Sequence, residues 1–268
     1  SPRVSVAADL QSEPGQYPIN LGIGTLASQN YTLTMLPGTL TVLPATVVVT
    51  AEDKMITYGE EWPAFTYYFQ GFRNGETELT AGLTGRTAAT LASTISEGAG
   101  TYAIVFSDTN LQASHYRFVY QTGVLTIRKA SLLVKPRDYS RVYGEPDPEF
   151  AFDLSGFVKE DDLSNSRITG QPILQSMATK DSGAGNYKIY AELGTLAAPN
   201  YDFNLGTGSL QITKAPLTVI ARDTLRPYGV ADPIFAYTFS GFVNGDDWIS
   251  AGITGLPLFS DRKSTRLN

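Results

Sequence analysis

The acidic side chains of this sequence stand in columns. Asp53, Asp138 and Asp223 recur at one step, and Glu76, Asp161 and Asp246 recur at the same step. Regularly placed carboxylates suit calcium, which takes about six to eight oxygen ligands, but no dense D-x-D-x-D run accompanies them. No cofactor is assigned, and structural calcium is the one metal the pattern leaves open. Asp53, Asp138 and Asp223 read first as Asx-type turns or caps. Asp161 and Asp162 are adjacent, whereas glycoside hydrolysis needs two carboxylates facing across the scissile bond. In the first complete unit Thr77 replaces the second of them. His115 is the single histidine. It occupies the column of Asn30 and Asn200, each just before a Tyr, and so reads as a turn residue in left-handed backbone rather than as a general base. The chain has no cysteine, which excludes disulfides, thiolate metal sites and cysteine nucleophiles. No G-x-S-x-G, phosphate loop or zinc spacing is present. No catalytic residue, cofactor site or metal site is assigned, and the chain is not expected to be an enzyme.

The elements that carry these columns repeat. Tyr58-Gly59, Tyr143-Gly144 and Tyr228-Gly229 recur every 85 residues, as do Gly71-Phe72, Gly156-Phe157 and Gly241-Phe242. Pro63/Pro148/Pro233, Tyr17/Tyr102/Tyr187 and Tyr31/Tyr116/Tyr201 keep the same step without insertion or deletion. These residues mark a construction module, since a catalytic motif would occur once per domain. The phase sets the domains. Residues 1–44 are the back half of a repeat, 45–129 and 130–214 are complete repeats, and 215–260 are the front half of another. The chain opens on Ser1 rather than Met and reads as a fragment of something longer. Residues 261–268, "DRKSTRLN", leave the pattern. They are the translation of GATCGGAAGAGCACACGTCTGAAC, the start of a common sequencing-library adapter, and are read as an adapter-derived artefact. The whole chain has a formal charge of −6, to which Arg262, Lys263 and Arg266 against Asp261 contribute a net two positive charges.

Period-2 alternation predicts strands. Phe65, Tyr67 and Phe69 alternate with Thr66, Tyr68 and Gln70, and Phe150/Phe152/Leu154 and Phe235/Tyr237/Phe239 repeat the pattern. On a strand such residues share one face, which places them in a core. Further strands are expected at residues 47–50, 102–106, 116–120 and 124–127. The last two flank Gln121-Thr122-Gly123 and read as a hairpin, with Gly38, Gly123 and Gly208 supplying positive φ. The segment after each Gly-Phe carries room for one short helical turn, and no long amphipathic helix is expected. With 42% hydrophobic and 17% charged residues the chain is a folded one. Its acidity disfavours nucleic-acid partners, and no apolar run is long enough for a membrane span.

Several short motifs combine into a resemblance. They are Tyr-Gly-x-x-x-Pro, Gly-Phe-Val-Asn-Gly-Asp at Gly241, Ile-Thr-Gly, Gly-Asn-Tyr at Gly185, Gly-Thr-Leu at Gly194, Asn-Tyr-x-Phe at Asn200 and Leu-x-Ile-Thr-Lys-Ala at Leu210. Together they resemble the MBG repeat of the Tyr-Gly-x type, found in tandem in large bacterial cell-surface and secreted adhesin-like proteins. The resemblance implies export and surface display. The fold expected is all-β, with tandem small β-sandwich or β-grasp-like domains arranged as an elongated rod. Joints such as Arg128-Lys129-Ala130-Ser131 and Thr213-Lys214-Ala215-Pro216 are too short for a flexible string. The expected role is a structural stalk holding a distal domain outward, with neighbouring repeats as partners. The alternative is a carbohydrate- or glycoprotein-binding module acting through avidity, with Tyr68, Trp62 or Trp248 as sugar platforms.

Overall fold

The computed structural model describes residues 3–92 and 98–259, which form strands, turns and bends and no helix. The tail assigned to an adapter lies outside these residues. The chain divides into two compact units, Ser1–Ala130 and Ser131–Asn268.

The first unit opens with β1 (Arg3–Val6), β2 (Gly15–Gly22) and β3 (Gly38–Val42), an antiparallel sheet in that order. A complete repeat follows: β4 (Ala45–Ala51), β5 (Lys54–Thr57), β6 (Tyr67–Gln70), β7 (Thr87–Leu91), β8 (Gly100–Thr109), β9 (Tyr116–Gln121) and β10 (Gly123–Arg128). Its strands sort into two sheets, β6-β4-β9 and β5-β10-β8-β7. The first strand, β4, lies antiparallel to β6 and parallel to β9, and the second, β5, lies parallel to the last, β10. Both ends of the repeat are thus paired with one another.

The second unit repeats this plan. It holds β11 (Ala130–Pro136, entering from the last residue of the first unit), β12 (Tyr139–Val142), β13 (Phe152–Ser155), β14 (Ile173–Ser176), β15 (Gly185–Glu192), β16 (Tyr201–Leu205) and β17 (Thr207–Thr213). The sheets are β13-β11-β16 and β12-β17-β15-β14. β18 (Thr218–Ala221) and β19 (Tyr237–Ser240) then form an antiparallel pair.

The cores follow from the alternation. Val47, Val49 and Ala51 of β4 point inward, as do Leu125 and Ile127 of β10, Leu132 and Val134 of β11, and Leu210 and Ile212 of β17. Side chains on one face of a strand are two residues apart, so these residues seal one face of each central strand. The aromatic run is half-buried rather than sealed, and its first member falls ahead of the strand: Phe65, Phe150 and Phe235 precede β6, β13 and β19, and Phe235 is exposed. Tyr67 reaches across to Phe106 of the other sheet, with ring centroids 5.8 Å apart, and Phe106 meets Tyr120 of β9 at 5.0 Å. Two small sheets per repeat, with no helix among the described residues, make each repeat an all-β domain.

Three sequence expectations are corrected. β9 and β10 belong to different sheets, so Gln121-Thr122-Gly123 is a crossing between layers and not a hairpin turn. Parallel pairing of β4 with β9 and of β5 with β10 outweighs the local signal. None of Gly38, Gly123 and Gly208 has positive φ. A Cβ on Gly123 would stand 2.6 Å from the Ala51 carbonyl oxygen, and one on Gly208 would stand 2.7 Å from that of Pro136. Close backbone approach, not turn geometry, demands these glycines. His115 lies in a turn but also lacks positive φ. The left-handed side chains are instead Asn74, Lys159 and Asn244, with Arg167.

Candidate functional site

The loop that follows each Gly-Phe is the most elaborately bonded part of the repeat. Gly71 ends β6 with φ 110°, and a Cβ there would stand 2.5 Å from the carbonyl oxygen of Thr46. Only glycine meets both conditions. The next residue turns inward: Phe72 packs edge-on against Tyr116 at 5.2 Å, and Phe157 against Tyr201 at 5.8 Å. Two residues later Asn74, Lys159 and Asn244 take φ of 53°, 56° and 54°. The predicted short helical turn then appears, closed by Ala81 N–H donating to Thr77 O at 2.9 Å and by Ala251 N–H donating to Asp247 O at 2.9 Å.

Asp162 and Asp247 cap this turn. Asp162 Oδ1 accepts from the backbone of Ser164 at 2.7 Å and of Asn165 at 3.2 Å, and the Asn165 side chain accepts from Asp162 N–H at 2.7 Å. Asp247 exchanges the same bonds with Ile249 and Ser250, all at 2.8 Å. This is a capping box, with each partner satisfying the other's orphan N–H. The Ser164 hydroxyl, followed by its backbone N–H, holds the Asp162 carboxyl below the usual range. Backbone N–H groups of Ser250 and Ile249 do so for Asp247.

The neighbouring acid column accepts tyrosine hydroxyls. Tyr116 Oη donates to Glu76 Oε2 at 2.6 Å and accepts from Arg73 N–H at 3.0 Å. Tyr201 Oη donates to Asp161 Oδ2 at 2.6 Å and accepts from Val158 N–H at 3.2 Å. Burial, and then the Glu76 carboxylate beside it, push the Tyr116 hydroxyl above its usual value. Asp161 and Asp162 therefore serve two different bonds rather than acting as a catalytic pair. The Asp53 column also has a partner, though not the local one expected of an Asx turn. Asp53 Oδ1 accepts from Val124 N–H at 2.7 Å, and Asp138 Oδ1 from Ser209 N–H at 2.8 Å. Each of these carboxylates clamps the corner after the first strand onto the start of the last. Among the described residues no group of three His, Cys, Asp or Glu side chains is placed to hold a metal.

A cleft of about 300 Å³ lies beside the first of these loops, lined among others by Leu10, Leu43, Arg73, Glu76 and His115. His115 Nε2 approaches Glu13 Oε1 at 3.1 Å and Nδ1 lies 3.9 Å from Glu76 Oε1. Despite the closer approach, His115 Nε2 has no hydrogen-bond partner among the described residues. A second cleft, of about 420 Å³, is lined by Tyr143, Lys214, Phe242, Val243 and Asp246 among others. Trp62, Tyr68 and Trp248 are 42%, 42% and 58% exposed. None of the three lines either cleft, and they occupy different repeat positions.

The sequence markers have distinct places. Tyr58 and Tyr143 follow β5 and β12, donating their backbone N–H to Arg128 O at 2.7 Å and Thr213 O at 2.8 Å. Gly59, Gly144 and Gly229 take positive φ in the turn after them. One ion pair had no forecast. Arg141, its side chain 2% exposed, donates through Nε to Asp147 Oδ1 at 2.6 Å and through Nη2 to Thr179 O at 2.6 Å. Arg226 and Asp232 repeat the pair at 2.5 Å, whereas the first repeat carries Ile56 and Trp62 in these columns. Both members change together, and that co-change was the available signal.

Three stretches of the chain, residues 47–126, 132–211 and 217–259, match the family model of the MBG domain (YGX type). No curated protein matched the chain.

Proposed function

The chain belongs to the family of MBG domains of the YGX type, and from that premise we propose that its repeats form the stalk of a bacterial surface or secreted adhesin, outside the cell and without catalytic activity. The observation that carries this reading is the brevity of the joints. Only Leu43 and Pro44 separate β3 from β4, only Lys129 separates β10 from β11, and residues 214–217 separate β17 from β18. Such connections are not flexible tethers, and stacked modules that leave no slack form extended, semi-rigid arrays. The stalk then works by geometry, holding a distal domain away from its anchor.

The acids and tyrosines that a catalytic or metal-binding reading would need are engaged in capping and clamping bonds. The candidate sugar platforms Trp62, Tyr68 and Trp248 occupy different repeat columns and line neither cleft, which favours a spacer over a shared glycan-binding face. Small-angle scattering tests the proposal. A compact body of this length has a radius of gyration of about 18 Å, whereas repeats of about 35 Å laid end to end give about 30 Å. A value near the lower figure overturns the stalk. Saturable binding on a glycan array, with or without calcium, overturns it in favour of a module that binds carbohydrate or glycoprotein.

A further inference from the structure

We infer that the Tyr-Gly turn of one repeat is a socket, and the Gly-Phe-x-Asn-Gly-acid loop of the next repeat is the plug that seats in it. The inference rests on the stalk reading and supplies its mechanical part: the joint is locked by named side chains rather than by a stiff linker alone.

The second unit holds a complete example. Tyr143 Oη donates to Asp246 Oδ2 at 2.9 Å, linking the Tyr-Gly turn of one repeat to the loop acid of the following one. Val243 packs on the glycine of the same turn so closely that a Cβ on Gly144 would stand 2.6 Å from Val243 Cγ2. Gly144 is therefore required twice, by its φ of 89° and by its neighbour. Asn244 Nδ2 adds a bond to the Lys180 carbonyl oxygen at 3.1 Å.

The first unit contains an independent copy of that last contact. Asn74 Nδ2 donates to the Leu10 carbonyl oxygen at 2.9 Å. Donor and acceptor are 64 residues apart in both units. Positive φ at Asn74 and Asn244 aims the side chain back at the preceding repeat, and the following Gly75 and Gly245 continue the left-handed path. The loop acid is consequently two-faced. Glu76 and Asp161 hold the tyrosine of their own repeat, while Asp246 holds that of the repeat before. A carboxylate has two oxygens with room for both donors.

The absence of cysteine makes the test direct, because any introduced pair is the only pair. Nitroxides on Lys188→Cys and Thr218→Cys, both exposed, span the joint at residues 214–217, and nitroxides on Lys188→Cys and Ser155→Cys stay within one repeat. Electron–electron dipolar spectroscopy should give a narrow distance distribution for both pairs in the parent chain. In the loop double variant Asn244→Gly/Asp246→Ala, the joint-spanning distribution should widen about twofold as the joint gains freedom, while the internal pair is unchanged. Tyr143→Phe removes one oxygen from the socket and should widen the same distribution; it decides the matter if the loop variant disturbs the internal pair. A joint distribution as narrow in these variants as in the parent overturns the plug and socket and leaves the stalk standing. A broad joint distribution already in the parent overturns the stiffness on which the stalk depends.

Discussion

Removing Asp147 should cost the second complete repeat more than most single substitutions, because Arg141 would stay behind. The guanidinium is almost wholly enclosed, while Asp147 keeps 27% of its side chain in solvent. Breaking a buried ion pair from one side costs about 3 to 5 kcal/mol, and the partial exposure of the acid places Asp147→Ala at about 3 kcal/mol. The Thr179 carbonyl still accepts one guanidinium N–H at 2.6 Å, which also argues for the lower figure. The first repeat supplies the rescue, since Ile56 and Trp62 occupy the same two columns without charge. The double variant Arg141→Ile/Asp147→Trp should lie within about 1 kcal/mol of the parent, because an ion pair replaced whole by apolar groups is often neutral. Hydrogen exchange resolved by segment is the assay. At 1.4 kcal/mol per tenfold, Asp147→Ala should speed the slowest amides of β12 and β17 about 140-fold and the double variant no more than about fivefold. Amides of β5 and β10 in the other unit are the control. An effect of Asp147→Ala below about fivefold, or a double variant no better than the single one, would refute the reasoning.

In the first complete repeat Gly85→Ala should lower the urea midpoint more than Gly75→Ala. Both have positive φ, but a Cβ on Gly85 would stand 2.2 Å from the Asn110 carbonyl oxygen, whereas Gly75 faces open space. Strain alone costs about 1 to 2 kcal/mol, and equal midpoints, read from Trp62 fluorescence in a Trp248→Phe background, would show that the close approach is unimportant. Asp138→Ala should release the Ser209 amide at a cost of about 1.5 kcal/mol while Asp138→Asn, which keeps an acceptor oxygen, stays near the parent; amide exchange at Ser209 discriminates the two. Thermal stability should fall on both flanks of pH. The carboxyls of Glu52, Asp153, Asp162 and Asp247 are held low by Thr66, Arg137, Ser164 and Ser250 N–H respectively as the leading causes. Their contribution is present above the ordinary carboxylate range of about 4 and is lost as pH falls through the lower folded values. Tyr116 is shifted the other way, so its contribution is whole below about pH 10 and is lost as pH rises through the higher folded value. A midpoint unchanged between neutral pH and pH 3, or an alkaline flank that survives Tyr116→Phe, would contradict these assignments.

What could be read in the sequence was whatever depends on neighbours along the chain. Alternation through Tyr67 and Phe69 placed a face inward, and the segment after Gly71-Phe72 left room for a single turn, each within a few residues of its cause. Which sheet a strand joins is another matter. Period two fixes the face of a strand, not its neighbour, so nothing local distinguishes a β9–β10 hairpin from a crossing between layers. The partners of the acid columns were hidden for the same reason. Glu76 meets Tyr116 across 40 residues and Asp53 meets Val124 across 71. The Arg141–Asp147 pair is only six residues long in sequence, yet nothing local forecast it; its one signal lies between repeats, where Ile56 and Trp62 abandon both charges at once.

The strands before residue 45 and after residue 214 separate local from closing interactions. In residues 1–44 the antiparallel set β1-β2-β3 forms, and in residues 215–260 the antiparallel pair β18-β19 forms. Residues 31–36, which share the register of β9, are not a strand, and Tyr31 is 79% exposed where Tyr201 is 1% exposed. Residues 224–227, in the register of β5, are likewise not a strand. Both missing strands are those whose bonds run parallel to a partner at the opposite end of the repeat. Antiparallel neighbours need only a connecting loop, whereas parallel pairing needs the whole crossover to be in place. The closing pairs, first strand with sixth and second with seventh, are therefore what convert two separately formable sheets into one domain. The Asp53 and Asp138 clamps sit at that closure, tying the first corner to the start of the last strand.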